Sequence, residues 1–106
     1  MYRVVDIINA YTIKLNTGLM VKLLGVKIND EEAATKYLKD YVLKKEVFLK
    51  FDSRGLVNRE IVEAYVYLKN KIFINSYLIK SGMATADKLN QYQYKNKFIE
   101  LEAEVS

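Results

Sequence analysis

The sequence predicts an α+β chain, mainly β, built as a small five-stranded barrel with three helices. Three observations lead there. Residues Tyr2 to Lys27 hold three short runs rich in Val, Ile, Leu and Tyr, broken at Asn9-Ala10 and at Thr17-Gly18. Two further runs of this kind, Glu46–Asp52 and Ile61–Leu68, follow a stretch with helical spacing. The chain then ends in two segments whose apolar residues recur at helical intervals.

Taken in order, the first three strands are expected over Tyr2–Ile8, Tyr11–Asn16 and Leu19–Val26. A helix follows from Asp30, with Asn29 or Asp30 as its cap and Glu31 and Glu32 placed to favour the N-terminal end of its dipole. Ala34, Tyr37, Leu38, Tyr41 and Val42 form its apolar stripe. In EVFLKFD, Val47, Leu49 and Phe51 alternate on one face, which makes Glu46–Asp52 a strand. Ser53–Arg59 is a polar loop around Gly55, Ile61–Leu68 a long strand, and Lys69-Asn70 the turn into Lys71–Phe73. A second helix over Ile74–Ser81 stops at Gly82, a residue suited to a left-handed cap. The third helix is expected over Asn90–Val105, with Tyr94, Phe98, Leu101 and Val105 inward. The expected core is Val4, Ile13, Leu23, Leu24, Leu49, Phe51, Ala64, Val66, Leu78 and Phe98. The order β-β-β-α-β-β-α-α suggests the OB-fold, a partly open Greek-key barrel with a helix between strands three and four, which on the order alone is one α+β arrangement among several.

Composition narrows the chemistry. The 106 residues are 51% apolar, enough for one domain with its own core, and residues 1–106 carry no repeat, linker or low-complexity tract. Cysteine and histidine are both absent, which excludes disulfides, thiolate or imidazole metal ligands, thiol nucleophiles and a Ser-His-Asp triad. No apolar run approaches the roughly 18–20 residues that span a bilayer, and no signal-like apolar region follows Met1. A cytoplasmic chain without a membrane partner is the expectation. The net charge of +4 and a pI near 9.2 are compatible with a polyanionic partner. Lys14, Lys22, Lys27, Lys36, Lys39, Lys44, Lys45 and Lys50 spread positive charge over the first half, while Glu100, Glu102 and Glu104 make the end acidic.

Thr12-Ile-Lys-Leu, Gly18 and Val21-Lys-Leu-Leu-Gly-Val resemble the opening of the staphylococcal nuclease (thermonuclease-like) family, V-x-D-G-D-T-I-x-L followed by V-R-L-I-G-V-D-T-P-E. The helix after Asp30, EVFLKFD, EAYVYL and FINSYLIKSGMA have parallels there in the same order, so the resemblance runs from Tyr2 to about Phe98. It implies an OB-fold barrel. In that family carboxylates hold calcium, a Glu activates water and two Arg clamp the phosphate, because a hard cation takes oxygen ligands and the transition state gains negative charge.

Carried over residue by residue, the resemblance implies a site without those groups. D-G-D-T becomes Asn9-Ala10-Tyr11-Thr12, placing Tyr11 where a metal-binding Asp stands. The first catalytic Arg becomes Lys22, which keeps the charge but not the two-pronged donor. D-T-P-E becomes Lys27-Ile28-Asn29-Asp30, so Lys27 reverses the charge of a second metal ligand and the catalytic Glu falls on Asp30, or on Glu31 with a one-residue shift. The second Arg falls on Ile61, and Arg59 reaches the site only through a bulge. Lys22, Asp30 and Ile61 are then vestigial positions, and no metal or cofactor is expected. The implied function is a catalytically inactive module that binds DNA through Tyr11, Lys14, Lys22, Lys27, Arg54 and Arg59. A calcium-dependent nuclease with an altered site and a protein-interaction scaffold are the alternatives.

YLKNKIFINSYLIKSGMA and YKNKF further resemble the thermonuclease-like domain appended to some bacterial DNA-modification methylases of the N4/N6 type. That implies a fragment of a larger protein whose remainder is a partner. The chain has no F-x-G-x-G cofactor loop, and with no proline it has no D-P-P-Y or N-P-P-Y motif of its own.

Overall fold

Alternating β-branched and aromatic residues set the strands, and two capped or glycine-ended amphipathic runs set the first two helices. A computed structural model describes residues 1–52 and 61–105. In chain order the elements are β1 (Tyr2–Asn9), β2 (Thr12–Leu15), β3 (Met20–Leu23), β4 (Val26–Ile28), α1 (Glu31–Tyr41), β5 (Glu46–Lys50), β6 (Ile61–Leu68), α2 (Ile74–Lys80), β7 (Ala84–Ala86) and α3 (Lys95–Val105). Five strands close a barrel in the order β1-β2-β3-β6-β5, with β5 pairing back to β1. The β3–β6 ladder is parallel and the other four are antiparallel. The expected α+β barrel with three helices is thus present. The expected loop Ser53–Arg59 lies outside the described residues.

The barrel interior follows from strand periodicity. Val4, Ile13, Leu15, Val21, Leu23, Val47, Val62, Ala64 and Val66 are buried inside or at its ends. Leu24, Leu78 and Phe98 of the expected core are buried as well. α1 starts where Asp30 accepts a hydrogen bond from the Ala33 amide at 3.0 Å, a side-chain N-cap. α2 ends in a Schellman arrangement: Gly82, at φ 82°, donates to the Ile79 carbonyl and Met83 to that of Leu78.

Several expectations give way. Leu19–Val26 is not one strand: Gly25, at φ 82°, turns the chain out of the barrel, and β4 pairs instead with the unforeseen β7. A Cβ at Gly25 would lie 2.6 Å from the Tyr92 ring and 2.8 Å from that of Phe98, so only glycine lets α3 close over this turn. α3 begins at Lys95 rather than Asn90, because Asp87 accepts from the Leu89 and Asn90 amides and holds that stretch as a turn. Tyr94 therefore precedes the helix, and Val105 at its far end is exposed. Phe51 is not core: β5 stops at Lys50, and the ring beyond it is 51% exposed. Leu49 is half-buried against the core. Tyr41 stands at the edge of the α1 stripe and is 61% exposed.

A polar clamp joins the layers. Asn75, fully buried at the start of α2, accepts from the Val66 amide and donates to the Leu24 and Ala64 carbonyls. It fixes α2 across the parallel β3–β6 seam.

Candidate nucleic-acid interface

The turn from β1 to β2 places the first candidate side chain. Asn9 accepts from the Tyr11 amide at 3.0 Å, an Asx-type turn, and the Tyr11 carbonyl accepts from the Leu23 amide at 2.8 Å. Tyr11 is thereby tied to β3 beside Lys22, which sits opposite Thr12 in the β2–β3 ladder. The Lys22 Nζ lies 5.5 Å from the centroid of the Tyr11 ring, within cation–π range. Tyr11 is 36% exposed and Lys22 is exposed, so ring and ammonium are both open to a ligand.

Register extends the face. Lys14 is two residues from Thr12 on β2, opposite Met20, and so projects on the same side as Lys22. Across β3, Lys22 faces Glu63 and Met20 faces Ile61 in the parallel ladder with β6. The Glu63 carboxylate offsets part of the positive charge of this face. Ile61 is an exposed apolar residue here, with no charge to offer a phosphate.

The other described candidates lie elsewhere. Lys27 is exposed on β4, opposite Thr85, on the two-stranded ribbon rather than the barrel. Asp30 is engaged as the α1 cap, and Glu31 and Glu32 occupy the first turn of that helix. Arg54 and Arg59 lie outside the described residues.

One cation–aromatic pair escaped sequence reasoning. Lys50, opposite Tyr65 in the β5–β6 ladder, donates to the Tyr94 hydroxyl at 2.8 Å, with its Nζ 5.0 Å from the ring centroid. The Lys50 hydrogen bond, then that from Tyr67, hold the Tyr94 phenol below its ordinary pKa. The signal was the Tyr92-Gln-Tyr94 repeat before α3. Its two rings part ways: Tyr92 is buried over Gly25, and Tyr94 lies edge-on against Tyr65 at 4.7 Å. Beneath it, Asp52 is buried and accepts from the Tyr65 hydroxyl and the Gln93 amide. This network ties the approach to α3 to the end of β5.

The sequence profile of the staphylococcal nuclease homologues matches residues 28–105. The chain belongs to that family. Among curated proteins nothing matches. The family match begins at Ile28, after Tyr11, Lys14, Lys22 and Lys27. Calcium, the metal that the family resemblance implies, does not fit what stands on this barrel face. A phenol and an ammonium meet where a hard cation needs several anionic oxygens. Among the described residues no three acidic side chains converge as a metal cluster. In this nuclease homologue the face is chemically a cation–aromatic surface, suited to phosphates and π-faces. No described helix is long and apolar enough to cross a membrane.

Proposed function

We propose that residues 1–106 form one nuclease-like domain that has lost catalysis and binds DNA on the barrel face around Tyr11 and Lys22. The observation that carries this reading is the Lys22–Tyr11 pair, 5.5 Å apart where hydrolysis would require a carboxylate and a guanidinium. Lys22 and Lys14 bind phosphates as point charges, which fixes no base sequence. Tyr11 offers a ring on which an unpaired base stacks. Lys27 on the adjoining ribbon adds positive charge beside this face, and Arg54 and Arg59, outside the described residues, are proposed as further phosphate contacts. Asp30 serves as a helix cap and Ile61 as surface, so neither acts on a phosphodiester.

The domain acts as an accessory to a DNA-modification methylase in the same polypeptide, helping to hold the substrate while the chemistry is done elsewhere. The similarity of the segments from Tyr67 to Phe98 to such appended domains supports this part. Its test is the sequence of the parent polypeptide, where a D-P-P-Y or N-P-P-Y motif upstream is expected and its absence contradicts the association.

The loss of catalysis is tested by incubating the chain with single-stranded DNA and calcium. Intact DNA is expected. Calcium-dependent fragments that vanish in Lys22→Ala would contradict the proposal and favour an altered nuclease.

A further inference from the structure

At the opposite end of β1 from Tyr11, roughly 20 Å of extended strand away, the surface is hollowed. A groove of about 690 Å³ runs between α1, the start of β5, the end of β6 and α2. That volume is within the roughly 300–1,000 Å³ range of ligand sites. It shares no lining residue with the Tyr11–Lys22 face.

Its wall is aromatic. Tyr37 of α1 stacks on Tyr77 of α2 with centroids 4.7 Å apart and planes 13° from parallel, and meets Tyr41 at 5.5 Å. Tyr37 is buried in the middle of this run, while Tyr41 and Tyr77 are 61% and 38% exposed.

Its rim is basic. Arg3, Lys44, Lys45 and Lys69 line it against one carboxylate, Glu46. Arg3 already holds that carboxylate at 3.6 Å. Among the described residues no ion pair engages Lys44, Lys45 or Lys69.

The backbone adds an independent observation. Among the described residues, the non-glycine positions with positive φ are Lys44, at 68°, and Lys71, at 74°. Lys44 lines the groove, and Lys71 lies between Asn70 and Ile72, which line it too. Both are turn positions where glycine or asparagine is the unstrained choice. The bonds around them hold the conformation: the Lys44 amide donates to the Val4 carbonyl at 2.8 Å, Arg3 donates to the Lys44 carbonyl at 3.1 Å, and the Lys71 amide donates to the Leu68 carbonyl at 2.8 Å. Strained backbone gathers at ligand clamps, and here one strained cation, Lys44, lines the groove and the other, Lys71, sits between two residues that do.

We infer that this groove is a second nucleic-acid-binding face, which takes single-stranded polynucleotide with phosphates along Lys44, Lys45 and Lys69 and a base on the Tyr41 ring, more exposed than that of Tyr77. A duplex keeps its base faces stacked and out of reach of the tyrosines. An acidic peptide matches the lysines but gains nothing from the electron-rich faces of the rings. A single strand satisfies both halves of the groove. The inference is independent of the Tyr11–Lys22 face.

The test is an NMR titration of the whole chain carrying Tyr11→Ala and Lys22→Ala, with short oligo-dT, oligo-rU and oligoglutamate as separate probes. Either oligonucleotide is expected to shift the amides of residues 37–46 and 68–77, and the tighter of the two names the natural strand. Tyr41→Ala should weaken that binding about tenfold. Lys44→Gly should weaken it as well, while raising the thermal midpoint because the left-handed strain is relieved. Shifts absent from these residues would overturn the inference and leave the Tyr11–Lys22 reading standing. Oligoglutamate binding as tightly as the oligonucleotides, with Tyr41→Ala without effect, would also overturn it by showing a general anion surface.

Discussion

Asn75 at the start of α2 donates to the Leu24 carbonyl at 2.8 Å, across a sequence separation of 51 residues. The same side chain serves Val66 and Ala64, so one amide satisfies three backbone groups at the seam where β3 and β6 run parallel. Asn75→Ala would take this partner from the Val66 amide and the Leu24 carbonyl, at about 1–3 kcal/mol each, while the Ala64 carbonyl keeps its bond from the Leu24 amide at 3.0 Å. We expect a loss of about 3 kcal/mol or more in urea denaturation, with an unchanged m-value. A loss below about 1 kcal/mol would show that the seam holds itself.

Gly25 and Gly18 separate backbone strain from steric overlap. Both have positive φ, 82° and 91°, but a Cβ at Gly18 meets nothing within 4 Å, whereas at Gly25 it overlaps the rings of Tyr92 and Phe98. Gly18→Ala should cost about 1 kcal/mol from strain alone. Gly25→Ala adds overpacking of about 1–3 kcal/mol and should displace the start of α3. Thermal midpoints of the two variants check the ordering, and equal losses would contradict the packing described here.

Alkaline pH should unfold the chain through its phenols. Burial, then the neighbouring Tyr77 and Tyr41, push the Tyr37 phenol up to about 12. Burial, then the hydrogen bond with Tyr94, push that of Tyr67 to about 12. Burial also raises Tyr65 and Tyr92. In the unfolded chain these groups ionise near pH 10. Between those values the folded state holds more protons, so stability falls as pH rises. Their contribution is complete below about pH 10 and lost progressively from there to about pH 12 and above. Tyr37→Phe should make the alkaline limb of a denaturation series shallower, and the phenolate absorbance that belongs to Tyr37, Tyr65, Tyr67 and Tyr92 should appear together with unfolding.

Much of the fold was legible in the sequence because it is local. Ile61–Leu68 is a run of β-branched, aromatic and other apolar residues broken only by Glu63, and it forms β6 with those limits. Asp30 caps α1 and Gly82 ends α2 as their residue types suggest. What escaped depends on distant partners. Nothing near Gly25 announces that Phe98 will lie against it, so the break between β3 and β4 could not be read. Phe51 looked like core from alternation, but a strand must remain paired for alternation to decide burial. The site divides in the same way. Tyr11 and Lys22 meet because register brings them together, while Lys27, close to Lys22 in sequence, leaves on another sheet. The groove beside Tyr41 was invisible, because its rings come from two helices and its lysines from two turns.

DNA binding by the Tyr11–Lys22 face is the central claim. It is tested most directly by fluorescence anisotropy with a labelled single-stranded oligonucleotide across a salt series. The chain used carries Lys44→Gly, Lys45→Ser and Lys69→Ser, so that the distal groove does not contribute. Affinity should fall steeply with salt as counterions are released. Lys22→Ala should weaken binding to all sequences alike and reduce the log–log salt slope by about 0.7–1 unit. Tyr11→Ala should weaken binding by about 1–3 kcal/mol with the slope unchanged. No binding at low salt, or affinity and slope unaltered in the Tyr11→Ala, Lys22→Ala double variant, would contradict the account.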